Sequence, residues 1–398
     1  MKQAYIIDGI RTPVGSYQGS LSSVRTDDLA ALVIAEIVKR NPQIPKEAYD
    51  DVILGCANQA GEDNRNVARM ASLLSGLPFT VPGETVNRLC SSGLSAVIHA
   101  NRAIKSGDGD LFISGGVENM TRGPYVIAKP SKAFGTDAKM YDSSFGWRFV
   151  NPKMHEMYGT DGMGMTAENL VEKYNLSREE QDAFAAASQE KASAAIAAGR
   201  FVDEITPIQI PQRKGEPLVF DTDEQPRTGS TAEALARLRP AFKKDGTVTA
   251  GNASSLNDGA AAVMLMSAEK AKALGLPVLA RIVAYANAGV DPSIMGIGPV
   301  AATQKCLSKA GWSIADLDLI EANEAFAAQS LSVNQELGWD ASKINVNGGA
   351  IAIGHPIGAS GCRILVSLVH EMIRRDAKKG LATLCIGGGQ GVALAIER

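Results

Sequence analysis

One α/β layout occurs twice along this chain of 398 residues, and that repetition constrains the fold more than any single motif. In the first copy the strand-like DDVILG (50–55) leads to Cys90, and in the second DLDLIEANEAF (316–326) leads to His355 after a similar interval. Each of these two residues precedes a helix and then a strand that runs into glycines, LFISGG (111–116) and ATLCIGGGQG (382–391). Repetition of this kind predicts a duplicated pair of α/β domains related by a pseudo-twofold axis. Equivalent positions then face each other across the axis, so Cys90, His355 and Cys385 are expected to converge although they lie far apart in sequence.

The elements read directly from local pattern. AYIID (4–8) is strand-like. TDDLAALVIAEIVKR (26–40) has helical periodicity, an N-cap near Thr26 and a stop at Asn41-Pro42. SSGLSAVIHANRAIKSGD (91–108) is a helix ended by Gly107. After residue 122 the composition shifts to Met-rich and charged stretches such as NPKMHEMYGTDGMGM (151–165), with one clear helix at 177–199 opened by a Ser177/Glu180 capping box. The expected organisation is an N-terminal domain of 1–121 plus 250–272, an inserted loop domain of 122–249, and a C-terminal domain of 273–398.

Several functions are disfavoured by composition. A net charge of −3 offers no basic footprint for nucleic acid. No apolar run approaches the ~18–20 residues that cross a bilayer. The apolar stretch of MKQAYIIDGIRTP stops at Asp8, too soon for a secretory signal. Five cysteines (Cys56, Cys90, Cys306, Cys362, Cys385) without CxxC spacing make no disulfide framework, and a reducing cytoplasm is the expected location. Four histidines without HExxH spacing point to no metal.

Four segments carry chemistry-bearing residues. Cys90, in TVNRLCSSGLSAV, stands where a turn enters a helix. The helix N-terminus favours a thiolate and hence a nucleophile; the alternative is a buried cysteine acting as a small hydrophobe. His355, in GGAIAIGHPIGASG, precedes Pro356 and a helix from about Ala359, a setting that suits a general base, with a structural histidine bonded to turn carbonyls as the alternative. Cys385 ends a strand before Gly387-Gly388-Gly389, whose N–H groups suit an oxyanion; the spacing is not that of a dinucleotide site, and a structural cysteine is the alternative. Asn323, in EANEAFAAQS, is either a helix N-cap or an amide that orients a water or carbonyl.

Together these segments resemble the thiolase family over nearly the whole chain. The resemblance rests on NRLCSSGL (87–94), GNASSLNDGAA (251–261), NEAFAAQ (323–329), GGAIAIGHPIGASG (348–361) and CIGGGQG (385–391). It implies a five-layered αβαβα fold with a loop domain over the site, in dimers or tetramers. It implies reversible CoA-dependent cleavage of 3-oxoacyl-CoA to acyl-CoA and acetyl-CoA, with coenzyme A as co-substrate and no permanently bound cofactor. Residue by residue, Cys90 matches the acyl-carrying nucleophile, His355 its base and Cys385 the acid/base acting at acetyl-CoA's methyl carbon. Asn323 matches the residue that holds an oxyanion-binding water, and the N–H groups of Cys90 and Gly387 match a second oxyanion hole. Arg227, Ser254, Met163, Ala325 and Phe326 match substrate- and CoA-binding positions. Two positions depart from the family pattern: Ser91 stands where glycine is usual, and Gly162 where short-chain biosynthetic members carry histidine.

The N-terminal half looks most like β-ketoadipyl-CoA thiolases, the C-terminal half more like acetyl-CoA acetyltransferases. Substrates from acetoacetyl-CoA to 3-oxoadipyl-CoA therefore remain open, and Arg148 or Arg65 is the expected partner of a carboxylate-ended chain. Arg213, Lys214 and Arg227 offer charge for CoA phosphates. The competing readings are a related condensing enzyme, which usually needs a second histidine where Cys385 stands, and a non-catalytic CoA-binding homologue.

Overall fold

The computed structural model describes residues 2–398. Nine strands build the central sheet: β1 (Ala4–Arg11), β2 (Asp51–Gly55), β3 (Gly83–Val86), β4 (Leu111–Asn119), β5 (Asn257–Ser267), β6 (Ala280–Gly289), β7 (Leu319–Ala322), β8 (Lys379–Ile386) and β9 (Gln390–Glu397). Their spatial order is β7-β8-β9-β6-β1-β5-β4-β2-β3, and a two-residue strand, Gly15–Ser16, flanks β5. The helices that pack on this sheet are α1 (Thr26–Arg40), α2 (Val67–Leu74), α3 (Ser92–Ser106), α4 (Gly298–Ala310), α5 (Ala327–Leu337) and α6 (Ile357–Arg375).

The duplication is visible in the ladder. In the first half β1 pairs antiparallel with β5, β5 antiparallel with β4, β4 parallel with β2, and β2 parallel with β3. In the second half β6 pairs antiparallel with β9, β9 antiparallel with β8, and β8 parallel with β7. A single parallel bridge, Ile320 to Ile344, stands where the first half has β3. The halves meet edge to edge through Tyr5–Arg281 and Ile6–Ala280.

Three apolar cores account for the layering. Period-two alternation sends Ala260, Ala262, Met264 and Met266 of β5 outward, against Leu29, Val33 and Ile37 of α1. Ala261, Val263 and Leu265 point the other way, into a central core with Leu94 and Ile98 of α3 and Leu365 and Val369 of α6. That core also takes Leu384 of β8 and Leu394 of β9, so both halves of the sheet close on the same pair of helices. The third core packs Ala302 and Leu307 of α4 on Ala393 and Ala395 of β9. The layers therefore run αβαβα, with α3 and α6 in the middle.

Close backbone approach sets how these central helices meet. A Cβ on Gly93 would stand 2.8 Å from the Gly358 carbonyl oxygen, and one on Gly116 only 2.1 Å from that same oxygen. Only glycine fits such a seam, and it brings the start of α3, the start of α6 and the strand β4 to one point. Local signals mostly hold: Gly107 ends α3 in the left-handed conformation, and the Ser177/Glu180 box opens the helix Arg178–Ala197. Three details differ. Thr26 is already helical and Arg25 is the N-cap; α6 starts at Ile357 rather than Ala359; and Phe326, not Asn323, is the N-cap of α5.

Candidate active site

A cavity of about 270 Å³ opens at the seam. Cys90, Gly387, Met163, Glu118, Arg148 and Ile357 are among its lining residues. Cys90 sits in a helical turn, Leu89–Ser91, that runs straight into α3. Leu89 is held at φ 46°, the left-handed region that a leucine seldom occupies. Its N–H donates to Asn87 Oδ1 (2.9 Å) and its carbonyl accepts from Ser92 Oγ (2.7 Å), so the strained turn is tied from both sides.

The backbone N–H groups of Gly387 and of Cys90 itself act to lower the Cys90 thiol. Its environment overturns one expectation. Loss of water around the half-buried Cys90 thiol on the cavity wall pushes it above its ordinary value, and nearby Glu118 adds to the rise; the two N–H groups oppose it without winning. The helix terminus therefore does not make a resting thiolate, and a base is needed. Cys385, the penultimate residue of β8, is close enough to raise its thiol through Cys90, although burial is the larger cause.

His355 lies two residues before α6, whose first residue, Ile357, lines the cavity. Its N–H donates to Asn257 Oδ1 at 2.8 Å. Its Nδ1 is 2.6 Å from Ser360 Oγ, and that hydroxyl donates to the Pro356 carbonyl at 2.9 Å. The hydroxyl has one proton, so toward His355 it accepts, which places the imidazole proton on Nδ1 and the lone pair on Nε2. Burial, with the charge of Arg363 behind it, lowers His355 to about 4, so the ring is neutral near pH 7. Asn323, between β7 and α5, brings Nδ2 to 3.5 Å from the same Nδ1; with the proton on Nδ1 both groups are donors and no hydrogen bond joins them.

The remaining candidates separate. Met163 lines the cavity beside Gly387. Ala325, Phe326 and Cys385 share one buried apolar cluster, against which Met163 packs. The Ser254 N–H donates to the Ala325 carbonyl at 2.9 Å. Arg227, Arg213 and Lys214 are exposed on the loop segment and do not line the cavity, nor does Arg65. Two residues that the sequence reading passed over belong to the site. Ser360 is signalled only by lying one helical turn past His355. Glu118 carries no sequence signal: its buried carboxylate accepts from the N–H groups of Ala57 (2.9 Å), Asn58 (3.1 Å) and Gly358 (3.0 Å), bolting the start of α6 to the end of β4. Among the described residues no group of three or more His, Cys, Asp or Glu side chains is placed to hold a metal ion, and no helix is long and apolar enough to cross a membrane.

A duplicated αβαβα frame with a cysteine turn and a histidine loop at its central seam defines a class. The family description "Thiolase, N-terminal domain" matches residues 4–269 and "Thiolase, C-terminal domain" matches residues 276–398, so the chain belongs to the thiolase family. It is 62% identical to an acetyl-CoA acetyltransferase of Pseudomonas aeruginosa, over 100% of both chains. It is 54% identical to the 3-oxoadipyl-CoA/3-oxo-5,6-dehydrosuberyl-CoA thiolase of Escherichia coli, again over 100% of both. Among solved structures, the Bacillus anthracis acetyl-CoA acetyltransferase superposes with a TM-score of 0.93 at 47% identity, covering 100% of this chain and 99% of the other. Human mitochondrial 3-ketoacyl-CoA thiolase in complex with CoA gives 0.92 at 42% identity, covering 100% and 98%.

Proposed function

We propose that this chain, an acyltransferase of the thiolase family, cleaves 3-oxoacyl-CoA reversibly with CoA through an acyl-cysteine on Cys90. The observation that carries the reading is Cys90 on the cavity wall together with Gly387, with Cys385 near enough to be influenced by it. In the first half-reaction the Cys90 proton passes to His355 Nε2 and the sulfur attacks the substrate's C3 carbonyl. The C2–C3 bond then breaks, its electron pair leaves as the enolate of acetyl-CoA, and Cys385 supplies the proton that makes the methyl group. In the second half-reaction Cys385 recovers a proton from the thiol of CoA, which attacks the Cys90 thioester. Collapse releases acyl-CoA, and His355 returns its proton to Cys90. The N–H groups of Cys90 and Gly387 suit one developing oxyanion, and Asn323 with His355 suits the other.

In this reading Met163, Ala325, Phe326 and Ser254 flank the pantetheine arm and Arg227 meets the nucleotide end of CoA; coenzyme A is a co-substrate and no group is permanently bound. The working division of the chain is 1–121 plus 250–272, 122–249 and 273–398. The enzyme works in the cytoplasm, a reading supported by five free cysteines. It assembles as a homotetramer, a reading supported by the hairpin Tyr125–Ile127/Met140–Asp142, on which Tyr125, Ile127 and Met140 are exposed with Phe134 beside them. Quenching the enzyme with acetyl-CoA and mapping the adduct by mass spectrometry tests the chemistry. Acetylation of the NRLC peptide at Cys90 is expected, with loss of turnover in Cys90→Ser; an adduct confined to Cys385 refutes the assignment.

A further inference from the structure

We infer that the cavity receives 3-oxoacyl chains ending in a carboxylate, and that Arg148 is the side chain that binds that carboxylate. The inference rests on the thiolase reading above and names the substrate class of the same site. One acidic and one basic side chain line the cavity: Glu118, which burial raises to about 7, and Arg148. Glu118 is spent: three backbone N–H groups hold its carboxylate, and its influence falls on the Cys90 thiol, at the reacting end.

Arg148 is the opposite case. Of its five N–H donors the structure uses one, from Nη1 to the Ser143 carbonyl at 3.3 Å, and no carboxylate among the described residues pairs with it. Some arginines elsewhere are engaged, Arg11 with Glu204 and Asp223, Arg122 with Glu62, Arg178 with Asp182, while other arginines without a carboxylate partner, such as Arg65, Arg213 and Arg227, do not line the cavity. An unpaired guanidinium on a cavity wall that also holds the nucleophile is a ready fork for a planar anion.

The surroundings offer apolar surface to an acyl tail. Phe145, Trp147 and Met163 supply apolar wall for the methylenes. A carboxylate delivered there loses water and needs a counter-charge, and Arg148 is the cavity's sole cation. The volume, about 270 Å³, approaches the ~300 Å³ at which small-molecule sites begin, and is far more than the methyl end of an acetoacetyl group fills. Arg65 is excluded from this role because it does not line the cavity.

The test measures kcat/KM for CoA-dependent cleavage of 3-oxoadipyl-CoA, 3-oxohexanoyl-CoA and acetoacetyl-CoA by the parent enzyme, Arg148→Ala and Arg148→Lys. The parent is expected to favour the carboxylate-ended chain over its neutral counterpart. Arg148→Ala is expected to lower that preference ~10–100-fold, the range of a charge-assisted hydrogen bond, and Arg148→Lys to fall between. Equal loss on both six-carbon substrates overturns the inference. So does a parent that cleaves acetoacetyl-CoA but not 3-oxoadipyl-CoA, which leaves the thiolase reading standing. A parent that cleaves none of the three removes that reading and this inference with it.

Discussion

Replacing Ser360 with alanine tests how the base is prepared. The hydroxyl accepts the imidazole proton at 2.6 Å while giving its own proton to the Pro356 carbonyl, so it holds the proton on Nδ1 and leaves the Nε2 lone pair free, as the proposed transfer from Cys90 requires. Ser360 and His355 are both buried, so water does not simply take its place. Without the hydroxyl, the tautomer with N–H at Nδ1 leaves a buried donor unpaired, a penalty of about 1–3 kcal/mol. The proton then shifts toward Nε2, and the Asn323 Nδ2, 3.5 Å from Nδ1, rewards the shift by donating to the vacated lone pair. A bias of that size depletes the productive tautomer ~5–150-fold. Cys90 acylation by acetyl-CoA, followed by rapid quench and mass spectrometry, should therefore slow about ten- to a hundredfold. The lost hydrogen bond itself costs only about 1 kcal/mol of stability, visible as a small fall in Tm. Acylation within twofold of the parent rate refutes the tautomer argument, and a collapse of Tm marks Ser360 as structural instead.

Cys385→Ala should still form the Cys90 acyl-enzyme but fail to exchange the methyl protons of acetyl-CoA with solvent; exchange at the parent rate would take Cys385 out of the proton path. Acid should expose the buried imidazole. His355 titrates near 4 in the fold against 6.5 in a model peptide, so its contribution to stability is complete above pH 6.5 and is lost as pH falls toward 4. At pH 5.5 the loss is about 1 kcal/mol, so His355→Asn should gain that much relative to the parent between pH 7.5 and 5.5 in urea unfolding; a difference that does not move with pH contradicts the assignment.

The frame was legible because its signals are local. Periodicity, the Gly107 stop and the Ser177/Glu180 box lie within a few residues, and the layout from DDVILG to LFISGG recurs in the second half. That recurrence foretold two α/β halves, and the ladders of β1–β5 and β6–β9 repeat each other in pairing sense, with a single bridge standing in for β3 in the second half. The sign of the Cys90 shift was not legible, because it is decided by enclosure and by Glu118, neither of which a helix N-terminus announces. Arg148 and Arg65 were indistinguishable in sequence; only the folded chain sets one on the cavity wall. Ser360 escaped notice because a serine in the first turn of a helix is ordinary until its hydroxyl is seen against the His355 ring.

The glycine seam divides the protein into a part that cannot drift and a part that can. Gly93 and Gly116 press against one carbonyl oxygen, that of Gly358, with no side chain between to shorten, lengthen or turn. Ordinary core divergence works by trading side-chain volume across an interface, and here there is none to trade. At this contact the Cys90 helix and the start of α6 meet main chain to main chain, so a side-chain substitution has nothing to shorten or lengthen there. Phe145, Trp147, Arg148 and Met163, which line the cavity outside that seam, meet it through side chains that substitution can change. Relatives whose names specify different acyl chains can then share one reacting geometry while their cavity walls diverge.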